Sequence, residues 1–256
     1  MFLKFVNIVF LFCFVVSGAN AIVNLDTLHL GEKQTGFSGD VSFGLNGAMG
    51  YRDRFRLSSV ANAQWNRKNL LYYLSFNYGY GESVGVEDEN KGFLHARRIK
   101  NVSQKIAWEL FSQVEQNKFA RLNFRGLLGG GTRYALNNNE KKQVTFLGLG
   151  GFFSREDLTN SSTTTDDGIE DIWRANLYLL ERLVLNKNIS IFETLYFQPS
   201  VAEPQDFRIL NIVGLKSKIT KRFSMRFSLE IIHDSDPPQG VVKTDSNYFT
   251  RLEYEF

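Results

Sequence analysis

Cysteine, proline and histidine are nearly missing from this chain: of 256 residues one is Cys, four are Pro and three are His. The single thiol, Cys13, lies in an apolar N-terminal stretch, so no disulfide is available to the rest of the chain and stability must come from hydrogen bonding and packing. Beyond that stretch no apolar run approaches the roughly 20 residues of a membrane-crossing helix. Neither sign of charge dominates: 30 Lys and Arg against 27 Asp and Glu leave +3, a balance that implies no polyanionic partner and no nucleic acid. No spacing matches a calcium loop, and the run Gly129-Gly130-Gly131 has no following helix to make a phosphate cradle, so no metal and no cofactor is expected.

What is present begins with an export signal. Residues 1–4 are a short basic start, residues 5–16 are apolar, and Ser17-Gly18-Ala19-Asn20-Ala21 ends in an A-x-A pattern. The expected organisation is a cleaved signal peptide over 1–21, a short periplasmic segment over 22–35 and one domain over 36–256. Phe10-Leu11-Phe12 lacks the small residues that precede a lipid-modified cysteine, so Cys13 is not read as a lipid anchor.

From Gly36 onward the dominant period is two, the period of a strand with unlike faces. Phe223, Met225, Phe227, Leu229 and Ile231 oppose Ser224, Arg226, Ser228 and Glu230; Leu70, Tyr72, Leu74, Phe76, Tyr78 and Tyr80 form another apolar row. Twelve such segments are expected, near 36–47, 53–65, 69–81, 92–100, 103–115, 119–134, 143–156, 170–184, 188–198, 206–219, 222–233 and 245–256. Most exceed the five or six residues usual in globular sheets and suit a tilted strand crossing a bilayer, for which nine to eleven are needed. An even number of antiparallel strands closes without an edge, and within lipid closure is required because an unsatisfied backbone group has no water to bond. The fold class is therefore all-β: a closed antiparallel transmembrane β-barrel of the outer-membrane type.

The connections agree. One set (66–69, 101–103, 136–142, 186–188 and 220–222) is mostly compact, polar and basic. The other (82–91, 157–171, 199–205 and 234–243) is longer, more acidic, and holds all four prolines. Short periplasmic turns and long outer loops are the barrel pattern. A soluble β-sandwich would share the alternation, but it would bury the apolar row and wet the charged one.

Chemistry could reside on the inward face. Glu109, Gln113 and Glu115 are expected opposite Arg121, Asn123, Arg125 and Arg133, and Arg226 and Glu230 beside Arg251, Glu253 and Glu255. A lumen filled by ion pairs and a narrow hydrated path are both open readings of these charges. The in-strand glycines at 129–131, 148, 150 and 151 are expected to curve the sheet. His233-Asp234-Ser235 tempts a catalytic reading, yet neighbours on a strand point to opposite faces and cannot form a relay without a turn. The outer acids, Glu87, Asp88 and Glu89 among them, read as solvated surface charge, with cation bridging to lipopolysaccharide as the alternative.

Arg125-Gly126-Leu127-Leu128-Gly129-Gly130-Gly131-Thr132-Arg133-Tyr134, the run from Leu147 to Glu156, Asp206-Phe207-Arg208, the strand after Phe223, Asp234-Ser235-Asp236-Pro237-Pro238 and Lys243-Thr244-Asp245 together resemble the domain-of-unknown-function family 481. Its members are often labelled salt-induced outer-membrane proteins. The resemblance covers most of the chain from about Phe37. It implies an outer-membrane location, outer-membrane lipid and lipopolysaccharide as surroundings, and a link to salt or osmotic stress; it supplies no catalytic or ligand residue. Within it, Asp234, Asp236, Pro237, Pro238 and Asp245 form a family-like outer hairpin. The closing strand, with Tyr248, Thr250, Leu252, Tyr254 and Phe256 turned to lipid, resembles the signal read by the barrel-assembly machinery, Tyr254 and Phe256 above all.

Three roles are carried forward: a non-enzymatic envelope protein serving membrane integrity or stress response, a narrow channel for small solutes or ions, and a lipid-modifying barrel enzyme.

Overall fold

A computed structural model describes residues 35–50, 53–139, 141–159 and 168–256. Twelve strands run in chain order: β1 (Gly36–Ala48), β2 (Arg54–Arg67), β3 (Leu70–Ser83), β4 (Val86–Asn101), β5 (Ile106–Asn117), β6 (Leu122–Asn139), β7 (Gln143–Leu158), β8 (Gly168–Val184), β9 (Ile189–Pro199), β10 (Phe207–Lys218), β11 (Phe223–Asp234) and β12 (Thr244–Glu255). Every strand pairs antiparallel with its chain neighbours, and β12 pairs with β1 to close the barrel. The expected signal peptide and most of the expected periplasmic segment lie outside the described residues.

The faces are inverted relative to a soluble sandwich. Phe43, Leu74, Leu110, Leu128, Leu149, Trp173, Phe227 and Leu252 stand exposed on the outside, while Asp40, Arg97, Glu109, Arg125, Glu156 and Arg208 are buried within. An apolar exterior with charges inside is stable only when the exterior meets hydrocarbon. Trp65 against Tyr72 and Phe223 against Tyr254 collect at one end of the barrel, and Phe153 against Trp173 toward the other, as interfacial girdles do.

The two ends differ in their connections, here called the turn end and the loop end. Three turns share one sequence device. In Val102-Ser103-Gln104-Lys105-Ile106, Leu185-Asn186-Lys187-Asn188-Ile189 and Ile219-Thr220-Lys221-Arg222-Phe223, the first residue's N–H donates to the last one's carbonyl. The second residue's side-chain oxygen accepts from the N–H groups of the fourth and fifth. Ser, Asn and Thr occupy that place because their short side chains reach the backbone two and three residues on.

At the loop end the structure corrects two expectations. Residues 82–91 are not a long loop: β3 and β4 continue to a two-residue turn at Val84 and Gly85, both at positive φ, the turn whose twist matches a hairpin. Between β5 and β6 a 3-10 turn at Lys118–Ala120, capped by the Asn117 side chain, precedes Arg121 in the left-handed region. A bulge between Leu122 and Phe124 then resets the alternation.

Closure is the thinnest seam. Only Asp40, Val41, Ser42 and Phe43 register with Glu255, Tyr254, Glu253 and Leu252, extended by the mutual backbone bonds of Gly39 and Phe256 at 3.0 and 3.1 Å. Phe256 also rests against Phe37, ring centres 6.1 Å apart. Deleting residues 254–256 removes half of that register together with the Gly39 bonds. The truncated chain is expected to give no heat-modifiable barrel in the membrane fraction; recovery of wild-type amounts would refute the dependence on this seam.

Candidate functional site

The candidate site is the lumen, and its chemistry is built from charges that alternation places inside. Glu109 on β5 receives Arg97 from β4 at 3.0 Å, Arg133 from β6 at 2.6 Å, and the Tyr178 hydroxyl from β8 at 2.5 Å. Arg133 Nε also donates to that hydroxyl at 3.1 Å. Nearer the loop end, Glu156 on β7 binds Arg125 at 2.7 Å and Arg208 at 2.8 and 3.1 Å, while Arg125 also pairs with Glu115. Arg208 comes from β10, three strands from β7, so this contact reaches past two strands inside the lumen; its Nε donates to Asp234 of β11 at 2.8 Å. Gln113 joins the two centres, donating to Glu115 at 2.6 Å and meeting His95 Nδ1 at 3.1 Å, with Arg97 Nε 3.3 Å from His95 Nε2. The result is a continuous polar chain from Asp234 to Tyr178.

On the far wall Lys216 binds Glu253 at 3.0 Å and Glu255 at 2.5 Å, and Arg226 also pairs with Glu253. Glu230 faces Lys91 and Arg251 across a small cavity. Arg174 holds Asp206 of the β9–β10 loop at 2.7 and 3.0 Å; burial pushes the Asp206 carboxyl above its ordinary range, and Arg174 opposes the shift.

Aromatic rings fill the space between charges. Arg97, Arg133 and Arg226 lie 4.8, 4.9 and 5.0 Å over Phe111, Phe146 and Phe192. Tyr178 and Tyr196, 5.2 Å apart, anchor a cluster with Ile99, Val144, Phe146 and Leu180. The glycines expected to curve the sheet serve close approach as well: a Cβ at Gly148 would fall 2.0 Å from the Tyr178 ring, and one at Gly214 2.4 Å from Phe192. The cavity within the lumen, lined by Asn62, Thr194, Arg226, Glu230 and Phe249, measures ≈ 80 Å³. That holds a few waters; a pocket for a drug-sized ligand takes roughly 300 Å³ or more.

Among the expected residues, Glu109 meets Arg133, Glu115 meets Arg125, and Arg226 meets Glu253. Arg251 and Glu230 line the cavity. Arg121 is corrected: it stands outside the bore at the loop end, donating to the carbonyls of Gln239 and Thr159 at 3.0 and 2.9 Å, because the 3-10 turn and the bulge break the alternation. Asp234 does more than end a hairpin, being the buried partner of Arg208. Asp236, Pro237 and Pro238 lie in the loop beyond, and Asp245 opposes Ile232 in β12. His233, Asp234 and Ser235 form no relay: His233 bonds Thr244, Asp234 bonds Arg208, and the Ser235 hydroxyl donates to Gln205. Among the described residues no cluster of three or more His, Cys, Asp or Glu is placed to hold a metal. Arg97, Glu156, Arg208 and Lys216 were missed because their segments alternate poorly or lie at strand ends.

A closed antiparallel barrel, apolar outside and ion-paired inside, defines the class: an outer-membrane-type β-barrel. Within that class the chain belongs to the DUF481 family, described as "Protein of unknown function, DUF481", whose model matches residues 41–256. Among solved structures it is similar to the NanC porin (7% identity, TM-score 0.52, covering 86% of this chain and 98% of that one). It is also similar to the KdgM porin in complex with disordered oligogalacturonate (12%, 0.47, 86% and 99%) and to the translocator domain of the autotransporter NalP from Neisseria meningitidis (10%, 0.47, 87% and 88%). At such identities the likeness is one of fold alone. No curated protein matches the chain.

Proposed function

We propose that this protein is a non-enzymatic outer-membrane barrel whose sealed lumen serves envelope integrity, including under salt or osmotic stress. The observation that carries the proposal is the packed interior: one guanidinium from β10 reaches past two strands to Glu156 of β7, while a buried cluster drawn from β3 to β11 occupies the middle. A wall closed by buried ion pairs resists deformation from either side because separating any partner leaves a charge unsatisfied in low dielectric. The stress component rests on the family's label alone. Outer-membrane lipid, lipopolysaccharide and, during insertion, the barrel-assembly machinery are the proposed surroundings, supported by the apolar belt and the aromatic closing strand.

The second reading, a narrow channel, is favoured by the polar cavity beside Arg226, Glu230 and Arg251. Recording from the purified protein in a planar bilayer separates the two. The sealed barrel gives no discrete conductance; reproducible unitary steps at low voltage would establish the channel instead. The lipid-modifying enzyme has least support, since His233, Asp234 and Ser235 are each engaged elsewhere. Turnover of labelled phospholipid that is lost on His233→Ala would revive it.

A further inference from the structure

The outer face is mostly apolar, and on β8 and β9 a pair of acidic residues interrupts it. Glu181 on β8 stands between Leu179 and Leu183, and Glu193 on β9 between Ile191 and Leu195, both turned away from the lumen-facing Arg182, Phe192 and Thr194. They are direct register partners, so two like charges sit side by side where each destabilises the other. Their hydrogen bonds come from neutral groups: Gln143 at 2.6 Å and Thr145 at 3.4 Å to Glu181, and Asn211 at 3.1 Å to Glu193. Among the described residues no Lys or Arg pairs with either.

A complementary sector lies on the same barrel. Arg98 and Lys100 of β4 project outward beside Trp108, with no hydrogen bond or ion pair among the described residues. They border two adjoining grooves, one of ≈ 470 Å³ over Ala63, Ala96 and Ser112, the other of ≈ 380 Å³ over Gly130, where small residues leave the surface dented. In the acidic sector Leu177, Leu183, Ile191, Leu195 and Phe197 are the exposed apolar residues around the two carboxylates.

Both sectors lie toward the turn end: Arg98 and Lys100 are the fourth-last and second-last residues of β4, Glu181 the fourth-last of β8, and Glu193 the fifth of β9.

From this we infer that copies of this chain dock side by side in the membrane, the acidic face of β8 and β9 on one barrel seating against the basic, grooved face of β4 and β5 on the next. Phospholipid phosphates can satisfy Arg98 and Lys100, whose stems snorkel, and a lipid ammonium can meet one carboxylate, but a second copy brings two cations held on one strand to two carboxylates held on neighbouring strands. A second copy satisfies both. The contact is head-to-tail, leaving one face of each kind free at the ends of a row or meeting again in a ring.

The inference rests on the membrane reading of the barrel, so heat-modifiable migration and recovery in the outer-membrane fraction are checked first for every variant; those readouts judge that reading separately. Full-length protein is then crosslinked in outer membranes and its mass measured in lipid nanodiscs. Wild type is expected as multiple barrels. Glu181→Lys with Glu193→Lys, and separately Arg98→Glu with Lys100→Glu, should each weaken association at least about tenfold, since like charges then face each other. Co-expressing the two variants, one basic on both faces and the other acidic on both, should restore association, as should the fourfold swap. Single wild-type barrels, reversed variants that associate like wild type, or dissociated variants that co-expression does not rescue would each overturn the inference.

Discussion

Replacing Glu156 with alanine is expected to destabilise the barrel by about 1–3 kcal/mol, the cost of hydrogen bonds lost to two buried guanidiniums that each keep one other carboxylate. Two guanidiniums, from Arg125 and Arg208, converge on this one carboxylate, and both are shielded from solvent. Arg125 retains Glu115 and Arg208 retains Asp234, so the lumen would not collapse outright. What is lost is the bridge between β7 and β10. Glu156→Gln keeps the volume and one acceptor but not the charge, and should fall between the two. Urea titration of the folded, heat-modifiable species in lipid vesicles measures the order wild type, Gln, Ala. A Glu156→Ala midpoint equal to wild type would mean that the bridge carries no stability, and the sealed-lumen proposal would lose its main support.

Gly148→Val is expected to expel Tyr178 from its seat. The ring lies over the glycine so closely that a Cβ would meet it at 2.0 Å, far inside any tolerated contact. Displacing the ring breaks its 2.5 Å bond to Glu109, removes the acceptor of Arg133 and separates it from Tyr196. Overpacking of this kind costs about 1–3 kcal/mol, with the lost buried hydrogen bonds in addition. Combining Gly148→Val with Tyr178→Ala makes room for the valine, so the double variant should regain part of the stability and open the middle of the lumen. Discrete bilayer conductance in the double variant, set against silence in wild type, is the expected pair of results. A Gly148→Val protein as stable as wild type would show that Tyr178 does not depend on this glycine.

Both predictions concern residues that the sequence reading treated unequally, and the reasons are physical. The pair Glu109 and Arg133 was legible because β5 and β6 alternate cleanly, which fixes the face of every residue once one is assigned. Arg97 and Arg98 are adjacent on β4, one inside over Phe111 and the other outside beside Trp108. In a stretch as basic as Ala96-Arg97-Arg98-Ile99-Lys100, composition does not say which is which. Arg121 was misplaced because a single bulge shifts parity, and bulges have no strong local signature. Gly148 was visible as a glycine in a strand, but the ring above it belongs to β8, thirty positions further along.

The sequence by itself determined the barrel. Period-two alternation over long strands, paired ends, no cysteine beyond the N-terminal stretch and an aromatic closing strand follow from local chemistry, because a strand's faces and a turn's side-chain caps are set within a few residues. The three matching turns at Val102, Leu185 and Ile219 are each held by bonds within five residues. Only the tertiary structure decided which charges meet inside the lumen. Glu156 finds Arg208 past two strands at a separation of 52 positions, and Glu181 meets Glu193 on the outside, through register and curvature that no local pattern contains. A strand's sequence chooses the face of each residue; closure of the barrel chooses its partner.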